Sequence, residues 1–210
     1  MMKKLIALAM CSMLAVGALG TVAMADETEG AAAPAPGEAA GFTEITIANE
    51  DGSEVFDGIE VGDLLSVSAV YFQPVPMSDS VNQDISAEDY DIHLECDVSA
   101  LENNLGYGVG DWVPYLTIDY SVVNADTEEV AAEGTFMEMA ASDGPHYGNN
   151  IKLPDAGTYN VTFTIHSPGE NGYLIHTDSE TGPGGTLADY FGDGNLEVTF
   201  EGWAYTPQEW

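Results

Sequence analysis

Four short stretches hold the residue types that bind soft and borderline metals. In "DIHLECDV" (91–98) apolar and polar residues alternate, so His93 and Glu95, two apart, point to the same side of an extended chain. "MEMAASDGPHYGNN" places Met137 and Met139 on one parity of a strand end and then, past a turn, His146 between Pro145 and Tyr147. "YLIHTDSETG" sets His176 at the end of a short apolar run, while His166 closes "FTIHSP" with no such neighbours. Taken singly, a histidine is more often an ordinary surface residue than a ligand, and a methionine is more often core filler. A meeting of imidazoles, a thioether and a carboxylate is chemically specific: thioether favours Cu(I), imidazole accepts both copper states, and carboxylate favours the harder Cu(II) or iron. Copper is the metal such a set holds best.

Other chemistries find little support. "GYGVGDW" (106–112) has the glycines of a phosphate loop, but "VPYLTIDY" follows it as a strand rather than the helix such a loop requires. It reads as a turn that lets Trp112 pack. No serine stands in a nucleophile-elbow context, and neither H-E-x-x-H nor C-x-x-C occurs. Asp193, Asn195 and Glu197 form only a fragment of a calcium-loop pattern.

The segments that must position these residues are short and strand-like. "FTEITIA", "LLSVSAVYFQ", "DIHLECDV", "YLTIDYSVV", "EVAAEGTFMEM", "YNVTFTIH" and "LEVTFEGWAY" are separated by Gly, Pro, Asn and Asp clusters, and no run keeps a helical period. The pattern predicts an all-β fold, an immunoglobulin-like β-sandwich in a single domain. "DAGTYNVTFTI" adds a specific expectation, a tyrosine corner at Tyr159. Alternation in "DIHLECDV" predicts a half-buried strand with one core face and one polar face, and Cys96 on the core parity as a small buried hydrophobe.

Residues 1–25, with Lys3 and Lys4, an apolar run and Ala23-Met24-Ala25, have the layout of a cleaved secretory signal peptide. Residues 26–41, built of Ala, Pro, Gly and Glu, read as a flexible linker, and 42–210 as the folded metal-binding domain. No other apolar run is long enough to span a bilayer, so the mature chain is expected not to insert into the membrane. The 36 acidic residues face three basic ones, a net charge of −33, and beyond residue 25 Lys152 is the sole cation among Lys and Arg. Such a field repels nucleic acid and anionic membranes and attracts cations. With Cys11 in the leader, Cys96 has no partner for an intramolecular disulfide.

In "YFQPVPM", "DIHLE", "DWVPYLTIDY", "GTFMEMAASDGPHYGNNIKLPDAGTYNVTF" and "HTDSETG" the chain resembles the periplasmic iron-transport family across Val61 to Thr181. The resemblance implies an acidic, exported, immunoglobulin-like homodimer that binds copper and works with a high-affinity iron permease of the inner membrane. It implies copper ligation by His93, Met139, His146 and His176, with Glu95 close by and His166 unused. Copper is then the cofactor and iron the transported ion. Rival readings are a copper carrier or scavenger without an iron role, a copper-dependent iron oxidoreductase, and a secreted sandwich module with incidental histidines. Binding alone would not make the protein an enzyme.

Overall fold

The computed structural model describes residues 43–45, 47–48, 54–55, 58–78 and 84–207, so the expected leader and linker lie outside the described residues. The chain runs through β1 (Thr43–Glu44), β2 (Ile47–Ala48), β3 (Glu54–Val55), β4 (Ile59–Val61), β5 (Leu65–Phe72), β6 (Met77–Ser78), β7 (Asp84–Ile85) and β8 (Ile92–Ala100). It continues through β9 (Thr117–Asn124), β10 (Val130–Thr135), β11 (Met137–Ala140), β12 (Pro145–Ile151), β13 (Gly157–His166), a 3₁₀ turn (Pro168–Asn171), α1 (Ala188–Phe191) and β14 (Leu196–Tyr205).

Two antiparallel sheets form a β-sandwich, as the strand spacing predicts. One has the order β1-β5-β8-β12-β11, with β4 also paired to β5; the other has the order β10-β9-β13-β14. Alternation along each strand builds the core between them. Leu65, Val67, Ala69 and Tyr71 of β5 and Ile92, Leu94, Cys96 and Val98 of β8 are buried with Ile118, Tyr120 and Val122 of β9 and Tyr159, Val161, Phe163 and Ile165 of β13. Phe163 is fully buried, edge-on to Phe136 at 5.3 Å between ring centroids. Burying such a side chain contributes roughly 1.5–3 kcal/mol. Cys96 belongs to this core, and its burial pushes the thiol well above its ordinary pKa, which keeps it a neutral thiol.

The tyrosine corner forms as predicted: the Tyr159 hydroxyl donates to the Asp155 carbonyl at 2.9 Å. In β14 the period breaks between Phe200 and Trp203, which are both buried although three residues apart. A bulge at Glu201 and Gly202 absorbs the extra residue, with Gly202 at φ 76° and its N–H donating to Asn160 Oδ1 at 3.0 Å.

Two expectations change. "EVAAEGTFMEM" is not one strand: it breaks at Phe136, whose N–H donates to Ile118 O, and β10 and β11 then join different sheets. The residues after "AASDG" form a strand, β12, between β8 and β11 in the first sheet.

Candidate metal centre

The face of the first sheet turned away from the core holds the site. On β8, His93 and Glu95 share the parity opposite to Leu94 and Cys96. Register sets Asn150 of β12 across from His93 and Gly148 across from Glu95, which puts His146, two residues earlier, on the same face. On the edge strand β11, Met139 lies directly across from His146 and Met137 across from Gly148. Cross-strand partners face the same side, so both methionines share the face of the two histidines.

This face was expected to be the open, polar side of a half-buried strand, and it is not open. His93 is 1% exposed, and Glu95 and His146 are each 5% exposed. Phe72 at the end of β5 lies against the His93 ring at 5.2 Å, and Val75, just beyond it, is bonded to Asn150. β8 is therefore buried on both faces over its first half.

Three donor atoms converge in this enclosed place. Glu95 Oε1 lies 3.0 Å from His146 Nε2 and 3.4 Å from His93 Nε2, and one ligand atom from each of the three residues falls within 4.8 Å of the others. The two rings meet edge-on with centroids 6.1 Å apart. Despite these short distances, both Nε2 atoms are buried and neither makes a hydrogen bond of acceptable direction. Orphaned buried polar atoms are rare because each costs about 1–3 kcal/mol. Two orphaned imidazole nitrogens and a carboxylate oxygen gathered within 4.8 Å of one another fit a cation.

The tautomer of His93 follows from its neighbours. Asn150 Nδ2 donates to Val75 O at 2.7 Å, and Asn150 Oδ1 accepts from Val75 N–H at 3.1 Å, which orients the amide. The same Oδ1 stands 2.8 Å from His93 Nδ1, so that nitrogen carries the proton and Nε2 presents its lone pair to the site. Space is left by Gly148, where a Cβ would stand 2.8 Å from His93 Nε2.

His176 is not brought to the three within its own chain. Its side chain is 74% exposed, in a loop held by Asp178: Glu180 N–H and Thr181 N–H donate to Asp178 Oδ1, and the Thr181 hydroxyl donates to Oδ2 at 2.6 Å. That hydroxyl proton being spent, Thr181 Oγ1 accepts from His176 Nδ1–H at 2.8 Å, and His176 Nε2 is left as the lone-pair nitrogen. His166 lies in the other sheet. Its neighbours in space are acidic, Asp119 at 3.1 Å from Nε2 and Glu170 at 3.4 Å from Nδ1. Asp91, on the polar parity in sequence, precedes β8 and accepts from Leu153 N–H at 2.7 Å.

The model of the Fe2+ transport protein family matches residues 42–206. The chain belongs to this iron-transport family. Solved structures of the fold include FetP of uropathogenic E. coli strain F11, 41% identical, covering 73% of this chain and 96% of that one with a TM-score of 0.61. A copper-bound variant of Campylobacter jejuni P19 is 34% identical, covering 80% of this chain and all of that one with a TM-score of 0.63. The 34 kDa membrane antigen of Treponema pallidum is 42% identical over 160 residues, 74% of each chain. Among the described residues of this iron-transport protein, no helix is long and apolar enough to cross a membrane.

Proposed function

We propose that this iron-transport protein is an exported, periplasmic copper-binding protein that supports iron uptake through an inner-membrane permease, with iron as the transported ion. The observation that carries the metal reading is the pair of buried, unbonded Nε2 atoms of His93 and His146 facing Glu95. A copper-bound state of FetP as well as of P19 supports copper as the metal. The donor set agrees: imidazole holds either oxidation state, the Met139 thioether favours Cu(I), and Glu95 favours Cu(II). Copper supplies a one-electron couple when bound. His93 presents its Nε2 lone pair, the buried Nε2 of His146 would join it as a ligand, Phe72 walls the ring of His93, and burial excludes bulk water.

His176 enters this reading through a homodimer. Its Nδ1 is engaged within its own loop, and Leu174, 86% exposed, stands two residues before it, next to Tyr173, whose ring lies 5.6 Å from that of half-exposed Tyr115. A second copy covering these apolar groups would bring His176 to the centre of its partner.

The alternative of a copper carrier without an iron role shares the same centre, so copper content alone does not separate the two. The test combines metal analysis of protein purified from its native compartment with growth of a deletion strain. Copper in the protein and a growth defect under iron limitation, rescued by excess iron, are expected. A copper-loaded protein whose loss leaves iron-limited growth unchanged would defeat the iron role and leave the carrier.

A further inference from the structure

After β5 the chain reads Gln73-Pro74-Val75-Pro76-Met77. Proline has no N–H, so within Pro74–Pro76 the only amide donor is Val75. Its N–H and its carbonyl are both engaged by one side chain, Asn150, at 3.1 and 2.7 Å, as a neighbouring strand would engage them. Asn150 is 3% exposed, and its Oδ1 is shared with His93 Nδ1 at 2.8 Å. The strap and the metal-facing histidine thus meet on a single oxygen atom.

We infer that Asn150 is a positioning residue that latches the Pro74-Val75-Pro76 strap against the metal centre while directing His93 Nε2 into it, so that copper binding and strap closure are coupled. The inference rests on the copper reading above. If the amide turned over or the strap lifted, Oδ1 would leave His93 Nδ1, and the ring would lose the bond that fixes both its tautomer and its orientation. A bound metal holds the ring in place, hence the amide, hence Val75. Coupling of this kind is reciprocal: the factor by which copper favours the closed strap equals the factor by which the closed strap binds copper more tightly than the open one. A residue that merely tied down a loop would hold Val75 equally well with and without metal.

The experiment measures exchange of the Val75 amide hydrogen in the full-length exported protein, metal-free and copper(I)-loaded, with the His93 tautomer read from nitrogen shifts in the metal-free form. Loading should slow Val75 exchange about 5-fold or more, and His93 should carry its proton on Nδ1. Asn150→Ala should weaken copper binding about 10- to 100-fold and remove the copper dependence of Val75 exchange. Core amides such as that of Phe163 serve as the check that the variant folds. If it does not fold, the wild-type measurements decide alone. Copper uptake with an unmoved Val75 rate, or a proton on His93 Nε2 in the metal-free protein, would overturn the latch. A wild-type protein that takes up no copper would overturn the metal reading itself, a separate result.

Discussion

A Cβ placed on Gly148 would stand 2.8 Å from Nε2 of His93, nearer than side-chain carbons approach a ring nitrogen. It would also lie 3.2 Å from the Leu94 carbonyl oxygen and 3.3 Å from Glu95 Cγ. Glycine inside a strand weakens it and often marks a place where another group comes close. Here the groups that come close are the His93 imidazole and the Glu95 side chain. Gly148→Ala is expected to retain the β12–β8 ladder and to lose copper affinity by about tenfold or more, comparable to disturbing the surroundings of a metal ligand. Competition with a chromophoric copper chelator measures this, and an unchanged affinity would show that the metal does not occupy that space.

The donor set predicts opposite preferences from two substitutions. Met139→Leu keeps the volume across from His146 and removes sulfur, so Cu(I) binding should fall more than Cu(II). Glu95→Gln keeps the shape at the centre and removes a hard anionic oxygen, so Cu(II) should fall more than Cu(I). His93→Ala and His146→Ala should weaken both states. His166→Ala, in the other sheet, should leave copper binding unchanged and alter stability by no more than about 1 kcal/mol, the ceiling for half-exposed ion pairs. Equal losses of both copper states in Met139→Leu and Glu95→Gln would remove both residues from the ligand set.

Much of the sandwich is legible because alternation is a direct image of burial. β14 matches "LEVTFEGWAY" from end to end, and "DAGTY" announces the corner that Tyr159 makes. β12 is hidden because "PHYGNNI" is rich in Pro, Gly and Asn, the residues of turns, and its strand state is imposed by pairing on both sides. The same concealment explains what was missed at the site. His93 and Glu95 can be paired from their spacing alone, whereas Asn150 and Gly148 reach them only through register. A signal was present: His146, Gly148 and Asn150 share one parity, and Tyr147 and Ile151 share the other. The covered outer face was not legible, because nothing local says that "QPVP" crosses it.

Removing the Tyr159 hydroxyl tests the corner. Tyr159→Phe keeps the ring in its cluster with Trp203 and Tyr205 but deletes the bond to the Asp155 carbonyl. A loss of about 1 kcal/mol is expected from urea unfolding, with copper affinity unaltered because the corner belongs to the other sheet. A parallel loss of copper binding would show that the two sheets communicate.

The His176 loop should respond to acid at a lower pH than ordinary carboxylates do. The Thr181 hydroxyl, with the N–H groups of Thr181 and Glu180, holds the Asp178 carboxyl below its usual pKa. The folded loop therefore binds the proton more weakly than the unfolded chain. Its contribution to order is present above about pH 4, the ordinary carboxylate range, and is lost as pH falls through the depressed value. Amide shifts of Glu180 and Thr181 followed between neutral pH and about pH 2 should report it. Movement of those shifts well above the ordinary carboxylate range would assign the loop's order to another group.

His176, with its Nδ1 bonded to Thr181, stands on an exposed loop, while the Nε2 atoms of His93 and His146 lack hydrogen-bond partners in a buried centre. If a second copy supplies His176, the two halves of the site can be carried by different chains. A heterodimer of His93→Ala and His176→Ala protomers then contains one doubly defective centre and one intact centre, because the His176→Ala protomer keeps His93 and receives His176 from its partner. If His176 served its own chain, each protomer of that heterodimer would remain defective. Co-expression with two affinity tags isolates the heterodimer, and a copper titration counts its tight sites. One tight site per heterodimer is expected, with none in either homodimer. A heterodimer with no tight site, or an His176→Ala homodimer that binds copper as the wild type does, would rule out a shared centre.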